Sequence, residues 1–286
     1  MKRSFILWTI TIIITVGTMF YQRATGPTYP KKVKVELAGK EYKFKLLRSN
    51  EIGSPCDIIL PVDDPSVTAK LYYKLYKTDH PYTEVEMERT KSHKKAFFGE
   101  GEEIEVLKAT LPEQPPAGKI EYYIELSDGT QTVDILKDEP VVVRFKGYVP
   151  RYILIPHIIF MIISLFAGVR AGVEAMAGGE KTLRFATVTL VVLFIGGLIL
   201  GPLVQLHAFG ELWTGWPFGG DWTDNKTLFA WIFWLIAVFV LRKNPKNRLW
   251  PALALIVLFA MYLIPHSMGG SELNNETGKI ETGLKE

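Results

Sequence analysis

The sequence predicts a mixed membrane protein. An N-terminal transmembrane anchor covers residues 1–21, an antiparallel β-sandwich outside the membrane covers 22–150, and a four-helix transmembrane domain covers 151–266. Residues 267–286 form an acidic outer tail expected to be disordered. Three observations carry this reading. The chain of 286 residues is 48% hydrophobic on average, yet 22–150 is rich in Lys, Glu, Asp and Pro while 151–266 is dominated by apolar residues, Gly and Trp. Such a split excludes a simple soluble enzyme and a disordered chain. Five apolar runs approach the length of a bilayer crossing. Basic residues gather in alternate short loops.

The first run, Ser4 to Tyr21, is uncharged and follows Lys2 and Arg3. Its length at ~1.5 Å per residue is about 27 Å, close to a hydrocarbon core of ~30 Å. A cleaved signal peptide shares the positive start but needs a small-x-small site, and Gly17 to Tyr21 is a poor one. A retained anchor is therefore expected. Tyr152–Val169, Phe185–Leu206, Leu228–Leu241 and Trp250–Ile264 are the remaining runs, with Thr223 or Asp224 expected to cap the fourth helix. No charged residue lies inside these cores, which argues against a proton relay or ion pathway.

Lys2, Arg3, Arg170, Lys181, Arg184 and the basic stretch Arg242–Arg248 fall on one side of the five spans. The opposite loop, 207–226, carries only Lys226. The positive-inside rule places the N-terminus in the cytoplasm and residues 22–150, the loop and the tail outside. No plant or animal targeting signal is visible, so a bacterial inner membrane is the expected location.

Within 22–150, segments such as Val33–Leu37, Tyr42–Leu46, Ala69–Tyr76, Thr83–Met87, Ile104–Leu107, Lys119–Leu126 and Val141–Phe145 alternate with period two between Gly, Pro and Asp turns. That is the pattern of half-buried antiparallel strands, and about seven of them suit a sandwich. The stretch from Leu111 and Pro112 through Gly118–Ile124 to Ser127, Asp128 and Gly129 resembles the last strands of fibronectin type III and immunoglobulin-like modules. The resemblance covers about 100 residues and implies a fold, with no activity attached. His80 and His93 read as solvated loop residues, and the Lys91–Lys95 cluster as a solvated face. A single cysteine, Cys56, excludes an internal disulfide and a thiolate zinc site, and a net charge of +3 is too small to imply nucleic acid.

The remaining histidines, His157, His207 and His266, fall at one depth near the outward ends of their helices. Imidazoles meeting from facing helices are what haem b or a metal ion requires. The competing reading is interfacial: a histidine can donate to a carbonyl left free by a neighbouring proline, and Pro156 and Pro265 each free such a carbonyl one turn earlier.

The outer loop 207–226 combines tryptophans with four glycines and Pro217. Trp213, Trp216 and Trp222 suit an aromatic belt, and the glycines suit a compact re-entrant turn packing its rings over the bundle mouth. Asp221 and Asp224, with Asn225, could hold a cation such as calcium, although helix capping by Asp224 is the preferred reading. The loop is loosely similar to the tryptophan-rich outer segment of cytochrome c haem-handling proteins, but Gly210 to Trp213 and Gly220 to Trp222 depart from that pattern in order and spacing. Ala167, Gly168, Ala171, Gly172, Gly196, Gly197 and Gly201 are small residues that permit close helix contact.

No Gly-x-Ser-x-Gly, His-Glu-x-x-His or phosphate loop is present. The expected function is thus a membrane subunit or scaffold of a cell-envelope assembly whose β-sandwich binds another protein subunit. The alternative is an electron-transfer subunit holding haem b or a metal ion through His157, His207 and His266. A transporter is disfavoured by five uncharged spans without an inverted repeat.

Overall fold

The structure, a computed structural model, describes residues 2–26, 28–93, 101–265 and 269–282. His266, Lys94 and Lys95 lie outside the described residues. The described residues divide into two units: a β unit within Thr28–Lys146 with Glu272–Ile280, and a helical unit holding the N-terminal segment and the described residues of Gly147–Ser271, with Glu281 and Thr282.

In the β unit, alternating segments become β1 (Lys31–Leu37), β2 (Lys40–Leu46), β3 (Ser49–Glu51), β4 (Cys56–Pro61), β5 (Thr68–Leu75), β6 (Thr83–Glu86), β7 (Glu88–His93), β8 (Glu103–Leu111), β9 (Lys119–Ser127), β10 (Thr132–Ile135) and β11 (Val141–Lys146). β1 and β2 form a hairpin. One sheet runs β3-β11-β9-β5-β6, with β10 also on β9, and a second runs β4-β8-β7. All of these pairings are antiparallel except β3 with β11. Period-two burial sends Ile120, Tyr122, Ile124 and Leu126 of β9 inward, where they meet Leu71, Phe44, Ile58, Leu107 and Val143 in one core. The Tyr122 hydroxyl donates to Leu47 O at 2.9 Å, so this deep ring keeps its hydrogen bond. Cys56 is inside, and burial pushes its thiol up to about 11.

The tail, expected to be disordered, is ordered over its described part. β12 (Glu272–Leu273) pairs with β13 (Ile280–Glu281). Leu273 N–H donates to Ala117 O, Asn275 Nδ2 donates to Tyr76 O, and Glu272 takes ion pairs from both Lys77 and Lys119. One acidic residue of the tail, Glu272, thus answers two lysines far back in the chain.

The helical unit comprises α1 (Lys2–Thr25), α2 (Arg151–Met176), α3 (Thr182–Leu193), a π-helical stretch Phe194–Leu200, α4 (Gly201–Phe209), α5 (Trp222–Lys243) and α6 (Leu249–Leu263). Four helices, α1, α2, the continuous α3–π–α4 rod over Thr182–Phe209, and α5, are long and apolar enough to cross a membrane. They mark this as a membrane protein. α6, expected as a fifth span, has 15 residues, about 22 Å at ~1.5 Å each. Pro265 pushes Ile264 into an extended conformation and ends it there.

Two expectations for the charged residues are corrected. α2 runs seven residues past Val169, so Arg170 lies within a helix rather than in a loop, 2% exposed and 2.5 Å from Glu174. Arg184 belongs to α3. The small residues do bring helices together. A Cβ on Gly168 would overlap Leu258, and one on Gly172 would overlap Leu255, both on α6. A Cβ on Gly196 would come 2.8 Å from Phe160 of α2, and one on Gly197 would come 2.6 Å from Thr227 of α5.

Candidate functional site

The polar residues of the helical unit concentrate at the end carrying loop 210–221. The π stretch shapes it first. Wider turns remove the ordinary i to i−4 pattern, and Pro202 at the start of α4 has no N–H to restore it. Gly196 O therefore accepts from Gly201 N–H and also from His157 Nδ1, at 2.8 Å. The histidine answers a carbonyl on a neighbouring helix, where a carbonyl one turn earlier in its own helix was expected. With Nδ1–H donating, Nε2 is left as the acceptor nitrogen. His207, near the end of α4, is exposed. Among the described residues no group of three His, Cys, Asp or Glu side chains is placed to hold a metal ion.

Gly210, at φ 86°, terminates α4. The loop then folds back through backbone bonds: Phe218 and Gly219 N–H both reach Gly215 O, and Asp221 N–H reaches Thr214 O. Trp213 Nε1 donates to Trp216 O, and Trp216 N–H donates to Asn225 Oδ1 at 2.6 Å. The turn is compact, as its glycines imply, but its rings do not close over the helices. Trp216 is 66% and Phe218 83% exposed, and Trp222 is also exposed.

Carboxylates organise the interior of this loop instead. Asp221, not Thr223 or Asp224, is the N-cap of α5, its Oδ1 accepting from Thr223 N–H at 2.8 Å. Its Oδ2 accepts from Ser271 N–H at 3.1 Å and lies 3.1 Å from the Thr214 hydroxyl oxygen. Asp224 Oδ2 accepts from Thr214 N–H at 2.7 Å. The Gln205 amide, oriented to satisfy both its ends, donates to Asp224 Oδ1 at 2.8 Å and accepts from the Thr214 hydroxyl. Lys226, expected on the outer loop, is buried on α5, and its Nζ donates to Ile264 O at 2.8 Å, a carbonyl left over at the end of α6. Gly147 N–H donates to Ala208 O, fixing the chain where it enters the helical unit.

The proposed contact set therefore divides. Asp221 and Asp224 turn inward with Gln205, Thr214, Lys226 and Ser271, of which the sequence pattern had noted only Lys226, as a cation of the outer loop. Trp216 and Trp222 turn outward. The one readable signal for the missing partners was the Asp221–Asp224 spacing, which puts both carboxylates at one helix start; Gln205, Thr214 and Ser271 come from three other chain segments. Such a network can lock the loop, α5 and α6 together.

A second surface lies on the β unit. The face of β5 and β9 opposite the core carries Tyr72 stacked on Tyr123 at 4.8 Å, with Tyr82 edge-on to Tyr123 at 5.0 Å. Lys137 sits over Tyr123 and Lys74 over Tyr82. The Tyr82 hydroxyl donates to Glu121 at 2.9 Å; burial and this bond push its pKa up to about 12. His93, at the end of β7 rather than in a loop, is exposed. No protein-family model, curated protein or solved structure matches the chain.

Proposed function

We propose that this chain is a noncatalytic subunit or scaffold of a cell-envelope assembly, held in a bacterial inner membrane with its β unit outside. The observation that carries the reading is the tyrosine cluster on the face of the larger sheet away from the core, where half-buried Tyr72 and Tyr82 pack over the buried Tyr123. Tyrosines framed by lysines combine apolar area, few rotamers and hydrogen-bonding tips, the composition favoured at protein interfaces. The strand order supports an immunoglobulin-like sandwich as the carrier. β3 runs parallel to β11 at one end of a β3-β11-β9-β5-β6 sheet, and β4-β8-β7 forms the facing layer. The occupied polar network at the loop end of the helices supports a structural role for that region.

The orientation follows from the basic residues that remain in loops and helix ends once Arg170 is placed inside α2. Protease added to cells with a permeable outer layer should digest the β unit, and its protection would reverse the orientation. A photo-crosslinking side chain at Tyr72 in the full-length protein should capture one defined protein subunit in cells. Crosslinks absent, or spread evenly over many proteins, would defeat the docking reading.

The electron-transfer reading keeps one specific support. His157 donates through Nδ1 to a backbone carbonyl, the second contact that orients a metal-binding imidazole and leaves Nε2 for iron or another metal. An absorption spectrum of the purified protein, oxidised and reduced, with metal analysis, tests it. A reduced b-type band lost in His157→Ala would replace the scaffold reading, and a colourless, metal-free, folded protein would remove the alternative.

A further inference from the structure

At the opposite end of the helical unit, α1, α2 and α3 enclose a cavity of about 380 Å³. Its walls combine apolar rings, Trp8, Phe166 and Phe185, with three cationic side chains, Arg170, Lys181 and Arg184. We propose that this cavity binds the headgroup and upper acyl chains of an acidic phospholipid.

The arrangement of charge carries the inference. Arg170 is 2% exposed, and its guanidinium lies between Trp8 at 4.8 Å and Phe185 at 4.7 Å. Glu174 answers one edge of it at 2.5 Å. Its Nε has no hydrogen-bond acceptor among the described residues, although a buried donor without a partner is costly. Lys181 and Arg184 are exposed, stand at the start of α3 and form no ion pair among the described residues. The site thus offers two free cations to an anion, with the buried positive charge of Arg170 behind them. A soluble anion would find most of the cavity wall apolar. A phospholipid places its phosphate against the cations and its chains against Trp8, Phe166, Phe185 and the neighbouring Ile163 and Val188. Basic pockets between membrane helices hold acidic headgroups on this principle. The proposal needs the helices in a bilayer but no partner for the β unit, so it can fail while the docking reading stands.

The test is native mass spectrometry of the full-length protein in nonionic detergent, titrated with phosphatidylglycerol or phosphatidylcholine of matched chains. Retention of phosphatidylglycerol should exceed that of phosphatidylcholine by about tenfold, and the double variant Lys181→Gln, Arg184→Gln should abolish the preference. Both residues are exposed, so the variant keeps the buried Arg170–Glu174 pair and the fold, which circular dichroism verifies. Equal retention of the two lipids, or an unchanged preference in the double variant, would overturn the proposal. So would displacement of the bound lipid by millimolar inorganic phosphate or glycerol phosphate, which would assign the site to a soluble anion.

Discussion

In the β unit the buried positions hold large apolar side chains, Leu37, Phe44, Leu71, Ile124 and Phe145, and most of the outward positions on its strands hold Lys and Glu. In the helical unit, Phe5, Ile13, Val16, Ile159, Val191, Phe239 and Ile256 face outward, while Arg170, Glu174, Thr189, Asp221, Asp224 and Lys226 are inside. The first pattern fits water, where burying apolar area drives folding. The second fits lipid, where outward apolar side chains gain nothing by burial and helices must associate through close backbone approach and internal polar bonds. The two units therefore differ in what each of their cores can tolerate.

The largest effect should come from removing volume in the β core. Leu71→Ala should destabilise that unit by about 3 kcal/mol, seen as faster hydrogen exchange across β5 and β9 with the helices unchanged. Equal loosening of both units would end the idea that each has its own core. Adding volume should be the stronger perturbation in the helical unit. Gly172→Val drives a side chain into Leu255 and should cost about 2 kcal/mol, measured as a lower thermal midpoint in detergent. An unaltered midpoint would show that α2 and α6 pack less closely than the structure places them.

Asp221→Ala removes the cap of α5 and the acceptor for the Ser271 amide. A loss of about 1–2 kcal/mol is expected, with faster exchange at the Thr223 and Ser271 amides. If only Thr223 responds, Asp221 is a helix cap and nothing more.

The smallest effect is the one with a pH signature. Burial pushes the Glu272 carboxyl up, but the hydrogen bonds and charges of Lys119 and Lys77 outweigh it, so its pKa lies below the ordinary carboxylate value. A depressed carboxylate stabilises the folded state above its unfolded pKa of about 4.3, and the contribution is lost as pH falls through the lower folded value. The Leu273 amide, bonded to Ala117 O, should exchange faster in that acid range in the wild type, while Glu272→Gln, weaker by about 1 kcal/mol, should lack the step. An identical acid response in both forms would remove Glu272 as its cause.

Sequence periodicity located β1, β2, β5, β6, β8, β9 and β11, because alternation records a sheet with one wet and one dry face. It passed over β4, whose Ile58, Ile59 and Leu60 run together, and β7, a polar edge strand, since neither alternates. Hydropathy located the helices, because a stretch of apolar residues is a local property. It ended α2 at Val169, where a charge follows, and could not register that Glu174, one turn on, neutralises Arg170.

What the sequence by itself determined are the units: the composition split, the apolar lengths and the strand periods are set by neighbours in the chain. The tertiary structure alone decided the polar partners. Asp221 meets Thr214 and Ser271, His157 meets Gly196 O, Lys226 meets Ile264 O and Glu272 meets Lys119, each across an interval that carries no period. The physical reason is that a buried polar group takes whichever donor or acceptor the packed helices and strands bring within reach, and that choice exists only once the chain is folded.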